Sequence, residues 1–148
     1  GKVRSRGVEL EANGNITASL SSSFSYAFCD AKIVESKTPS QIGQRLENSP
    51  RNSGSAHVKY EFKEGMLKGV AISAGYLQGS KRTTLDPSVS LPAYIIFNGG
   101  LQYTFQKITL ALRGENLFNK TYWMAAYNNV SKWPGKPRNF MLNLRYKF

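Results

Sequence analysis

The chain has 148 residues, enough for one ordinary domain; it is 41% hydrophobic and strongly basic, with 20 Lys+Arg against 9 Asp+Glu. A single cysteine, Cys29, excludes an internal disulfide and a cysteine-cluster zinc site, and a single His57 excludes a histidine-pair metal site or a Ser-His couple. There is no run of about 18 apolar residues for a membrane helix, and the cations are scattered without a recognition motif, so nucleic acid is not an expected partner.

The opening GKVRSRGVELEA has neither an initiator methionine nor a signal-peptide pattern. It is already strand-like, with Val8, Leu10 and Ala12 opposing Glu9 and Glu11, as expected of a piece of something longer. Asn13-Gly14-Asn15 predicts a tight hairpin turn. In the second strand Ile16, Ala18, Leu20, Phe24, Tyr26 and Phe28 share one face, and a run of serines and Thr17 takes the other. Residues 29–54 read as a long polar loop. A third strand sets Ala56, Val58, Tyr60 and Phe62 against His57, Lys59 and Glu61, and "KEG" at 63–65 is a short turn. The fourth sets Val70, Ile72, Ala74 and Tyr76 against Gly69, Ala71, Ser73 and Gly75. A second long loop spans 79–91. The fifth strand carries Ala93, Ile95, Phe97, Leu101, Tyr103 and Phe105 on one face, turns near Gln106, and leads to a sixth with Ile108, Leu110 and Leu112. A third long loop runs from Asn119 to Pro137. The chain then closes on a strand with Phe140, Leu142, Leu144, Tyr146 and Phe148 opposite Asn139, Met141, Asn143, Arg145 and Lys147.

Seven alternating strands and no helix define an all-β, antiparallel up-and-down architecture. Its connections alternate strictly between short and long. Structureless loops of this length are uncommon in compact soluble domains, whereas membrane β-barrels have short turns at one end and long loops at the other. An even strand number, from 8 upward, is needed to close a bacterial barrel, so seven strands suit part of one. The alternative is a soluble barrel that turns its greasy face inward around a small apolar ligand. A basic structural or adhesion domain is a third reading.

Several short stretches resemble the C-terminal third of TonB-dependent outer-membrane receptors, the ferric-siderophore type above all. They are Ser5-Arg6-Gly7-Val8-Glu9, Asn48-Ser49-Pro50, Leu91-Pro92-Ala93-Tyr94, Asn116-Leu117-Phe118-Asn119-Lys120-Thr121-Tyr122 and Gly135-Lys136-Pro137-Arg138, followed by a terminal Phe148. Their order covers essentially the whole chain. The resemblance implies a segment, residues 1–148, of a 22-stranded barrel in the outer membrane of a Gram-negative bacterium. It implies a plug domain and TonB box outside this sequence, TonB as an energy-coupling partner, and a ferric siderophore as transported ligand, with no cofactor bound by the segment.

Candidate ligand residues lie in the long loops: Lys81 and Arg82 as cations, Tyr127 and Trp133 as aromatic faces for an anionic, aryl-bearing or hydroxamate iron chelate. Tyr103, Phe105, Tyr122, Trp123, Tyr146 and Phe148 are expected in the aromatic belts at the membrane interfaces. Arg113, Glu115, Arg145, Glu9 and Glu11 are expected to line the lumen. No nucleophile–base constellation can be assembled, so the chain is not expected to be an enzyme.

Overall fold

The computed structural model describes residues 1–86 and 88–148. Its strands are β1 (Lys2–Asn15), β2 (Leu20–Glu35), β3 (Asn52–Glu61), β4 (Val70–Gly79), β5 (Arg82–Thr83), β6 (Ser90–Leu91), β7 (Tyr94–Phe105), β8 (Ile108–Glu115), β9 (Trp123–Ala126), β10 (Lys132–Pro134) and β11 (Asn139–Tyr146). Seven of them form one antiparallel sheet in the order β1-β2-β3-β4-β7-β8-β11. The other four pair within the long connections, β5 with β6 and β9 with β10.

Register explains the two faces. Directly opposed residues of an antiparallel pair share a face. Leu20, Tyr60, Ile72, Leu101, Leu112 and Leu142 are opposed in turn, an apolar row crossing six strands. One residue on, the row reads Ser21, Lys59, Ser73, Gly100, Arg113 and Met141. A single-residue slip would exchange these rows.

The polar face is the concave one. A trough of about 460 Å³ on that side is lined by His57, Lys59, Asn98, Gln102, Arg113 and Glu115 over a floor of small residues. The apolar face is convex, and beyond Leu117 over Gly99 and Gly114 and Phe118 against Phe97 nothing among the described residues covers it: Leu142 is 67% and Leu144 74% exposed. Hiding a leucine from water is worth about 1.5–3 kcal/mol, so this face needs an apolar medium outside the sheet. The soluble-barrel reading, with its greasy face inward, fails on this curvature.

Three sequence expectations are corrected. Asn13-Gly14-Asn15 is not a turn, because Gly14 and Asn15 still pair with Ser22 and Ser21. The reversal lies at 16–19, where the Thr17 hydroxyl accepts from Ser19 N and Leu20 N at 3.2 and 3.0 Å. The polar loop predicted at 29–54 is shorter, since β2 continues to Glu35 and β3 begins at Asn52. Polarity misled there: above the apolar band a strand keeps its backbone pairing without needing alternation. The third loop carries its own hairpin, β9–β10.

Candidate functional site

The buried side chains lie mainly beyond the sheet, where the long loops at 36–51, 80–93 and 116–138 meet. Leu91, Arg82, Thr84, Tyr122, Asn116 and Ala126 are all below 8% exposed. The loops therefore have a core of their own, built by three polar side chains and one aromatic stack.

Asn116 organises the base of the third loop. It sits at φ 50°, a left-handed conformation that asparagine tolerates better than most residues. Its side-chain amide donates to Lys120 O at 2.8 Å and Lys136 O at 3.0 Å, while its carbonyl oxygen accepts from Lys120 N at 2.8 Å. Asn98 Oδ1 accepts from Asn116 N at 2.9 Å, tying this knot to β7. Asn119, at φ 51°, accepts from Arg138 N at 3.0 Å and draws the two ends of the loop together.

Arg82 joins the second loop to the third. Its Nη1 and Nη2 donate to Met124 O and Trp123 O, both at 2.6 Å, and its guanidinium lies 5.3 Å from the Tyr94 ring centre. Tyr94 stacks on Tyr122 at 4.9 Å with a 32° tilt. Gly135 backs the Tyr122 ring so closely that a methyl there would overlap it. Burial pushes the Tyr122 hydroxyl above its ordinary value, with nearby Tyr94 adding to the rise.

Asn48 bridges all three loops. Its backbone N–H donates to Thr83 O at 2.8 Å, and its side chain pairs with Ala126 like a strand, donating at 3.0 Å and accepting at 2.9 Å. It too has a positive φ, 58°.

Tyr127 and Trp133 stand on one face of the β9–β10 hairpin, 56% and 55% exposed. Lys81 is exposed on the neighbouring loop, one residue from the Arg82 clamp. Arg82 differs from its expected role: it is 4% exposed and holds carbonyls, so it supports the surface rather than forming it. Tyr122 differs as well, being buried in the stack instead of standing in a membrane belt. Trp123 is half-buried beside Lys132, whose Nζ lies 5.7 Å from its ring.

Tyr103 pairs with Phe105 at 6.5 Å and Tyr146 with Phe148 at 5.2 Å, on strands flanking β8 at the short-turn end of the apolar face. Tyr60 and Phe62 form a third pair at that end, 4.9 Å apart. The spacing Tyr60-Glu61-Phe62, Tyr103-Thr104-Phe105, Tyr146-Lys147-Phe148 is the sequence signal that would have found it. Asn48 and Asn116 were missed as site residues, although both lie inside recognised motifs. Among the described residues no group of three His, Cys, Asp or Glu side chains is placed to hold a metal ion.

Residues 1–117 match the family model described as "TonB dependent receptor-like, beta-barrel". The chain is 34% identical over 151 residues to the metal-pseudopaline receptor CntO of Pseudomonas aeruginosa, covering all of this chain and 21% of that protein. It is 32% identical over 138 residues to the ferrioxamine B receptor of Salmonella typhimurium, covering 88% of this chain and 19% of that one. The solved siderophore receptor PiuA from Acinetobacter baumannii superposes with a TM-score of 0.85 at 22% identity, over 99% of this chain and 22% of its own. The chain thus spans about a fifth of the length of these relatives.

Proposed function

The chain belongs to the TonB-dependent receptor β-barrel family, a family of outer-membrane transporters and not of enzymes, and from that premise we propose that residues 1–148 are a C-terminal barrel segment of an active transporter. The whole receptor binds a ferric siderophore or a kindred metal chelate at the cell surface and imports it with TonB-derived energy. These seven strands supply part of a 22-stranded barrel. The convex face meets lipid, and the concave trough faces a plug domain carried by the rest of the receptor. TonB engages a region outside these 148 residues.

With the long loops outward, Tyr127 and Trp133 are the surface offered to a chelate. Their ring faces take up its apolar or aryl parts, while Lys81 and Lys132 supply positive charge. Tyr60, Phe62, Tyr103, Phe105, Tyr146 and Phe148 form the girdle at the opposite interface. One observation carries the reading: two half-exposed aromatics project from a hairpin whose base is fixed by half-buried Asn48 and by buried Arg82 and Asn116. Fixing a loop in its binding conformation lowers the ordering cost of binding.

The test uses the full-length receptor in cells and radio-iron-loaded siderophores of the hydroxamate, catecholate and mixed types. The Tyr127→Ala/Trp133→Ala double variant is expected to weaken surface binding of the accepted chelate about tenfold or more, with barrel assembly unchanged. Undiminished binding by that variant would remove these residues from the site.

A further inference from the structure

The apolar face ends, on its loop side, in a cluster of cations. Arg4 opposes Lys32 and Arg6 opposes Asp30 across β1 and β2. Arg45 stands opposite Lys32 from the first loop, in an isolated bridge. Arg4 and Arg6 have the strand parity of Val8 and Leu10; Asp30 and Lys32 have that of Phe24 and Phe28. All four therefore project from the convex face. The Arg51 guanidinium lies 5.2 Å from the Phe28 ring centre, at the same rim.

Charge and height both single out this place. Asp30 is the one carboxylate of the cluster, and Lys32 occupies it at 3.1 Å. Arg4, Arg6 and Arg51 have no carboxylate partner among the described residues. At about 3.3 Å per residue, Asp30 and Lys32 stand roughly 7 and 13 Å along the strand beyond Phe28. A tilt near 45° reduces that to about 5 and 9 Å above the apolar band, the depth of lipid headgroups. Further along the same face, β3 and β4 offer uncharged Asn52 and Gln78.

We propose that Arg4, Arg6, Lys32 and Arg51 form a docking site for the phosphate groups of an anionic lipid in the outer leaflet. The planar, always-charged guanidinium matches phosphate oxygens with paired hydrogen bonds, and a basic cluster beside a membrane concentrates anionic lipid at that spot. The lipid's chains then lie along Val8, Leu10 and Phe24. The proposal rests on the convex face meeting lipid, but not on which chelate the receptor carries.

The test is a lipid titration of the full-length receptor in neutral detergent, followed by native mass spectrometry. The probes are bisphosphorylated lipid A, phosphatidylcholine and inorganic phosphate. The wild type is expected to retain lipid A, to ignore phosphatidylcholine, and to keep its lipid in millimolar phosphate. The Arg4→Gln/Arg6→Gln/Arg51→Gln variant is expected to lose affinity for lipid A at least about tenfold, while its heat-modifiable gel mobility and ferric-siderophore binding stay as in the wild type. Equal retention of lipid A by the variant would overturn the site. Displacement of the lipid by inorganic phosphate would make it a general anion site and overturn the lipid assignment. If chelate binding were lost from the wild type but lipid A binding still depended on the three arginines, the transport reading would fall and this one would stand.

Discussion

Three asparagines, Asn48, Asn116 and Asn119, hold left-handed backbone and satisfy loop amides with their side chains. Their value lies in offering a donor and an acceptor in one short, nearly rigid group. Asn116→Ala strips partners from Lys120 N, Lys120 O and Lys136 O; leaving such groups unmet in a buried place costs about 1–3 kcal/mol each. The expected outcome is a third loop that is cut by protease in the intact receptor while the strands stay protected. Tyr122 gives a pH signature. Its hydroxyl loses its proton at higher pH in the folded lobe than in the opened one. Its contribution is therefore full below the ordinary phenol value of 10.0 and declines as pH rises beyond it. The loop lobe, followed by Trp fluorescence on heating, is expected to lose more melting temperature between pH 8 and 11 than the Tyr122→Phe variant does. These residues sit within the short motifs that carried the family resemblance. Leu91 to Tyr94, Asn116 to Tyr122 and Gly135 make the clamp and leave the ligand surface to others. The motifs were legible because a clamp needs particular residue types. The burial of Arg82 was not, since it depends on carbonyls of Trp123 and Met124, which lie over 40 residues away.

At the scale of the strand, alternation told nearly everything within the apolar band and little outside it. The last strand shows the first half: Leu142 and Leu144 fall on the convex face, Met141 and Asn143 on the other. A cation in mid-membrane on the lipid side costs about 2–4 kcal/mol. Leu142→Arg is thus expected to lower the unfolding free energy of the lipid-embedded receptor by about that amount, and Asn143→Arg by under 1 kcal/mol, measured by reversible denaturation in vesicles. Equal losses would place both positions in one environment. The upper half of β2 and the turn at 16–19 show the second half. Beyond the band the pairing of β1 with β2 persists through backbone hydrogen bonds, and a Thr17 hydroxyl, not an Asn-Gly pair, reverses the chain. The periodic signal ends with the apolar band, while the strand does not.

At the scale of the molecule, the proposed arrangement puts three media around one sheet: lipid against the convex side, a wet lumen in the trough, and a loop lobe at one end. Strands β1 and β11 each keep one edge without a partner among the described residues; such edges pair indiscriminately unless further strands cover them, which agrees with a segment of a larger barrel. Which way the two faces of the sheet point decides which of them meets lipid and which meets water. The most direct measurement is electron paramagnetic resonance of nitroxides at positions 142 and 143, introduced as Leu142→Cys and Asn143→Cys on a Cys29→Ser background of the full receptor in lipid nanodiscs. The prediction is that the label at 142 collides mainly with oxygen, which concentrates in lipid, and the label at 143 mainly with a water-soluble nickel chelate. The reverse pattern, or a label at 142 reached freely by the nickel chelate, would contradict it.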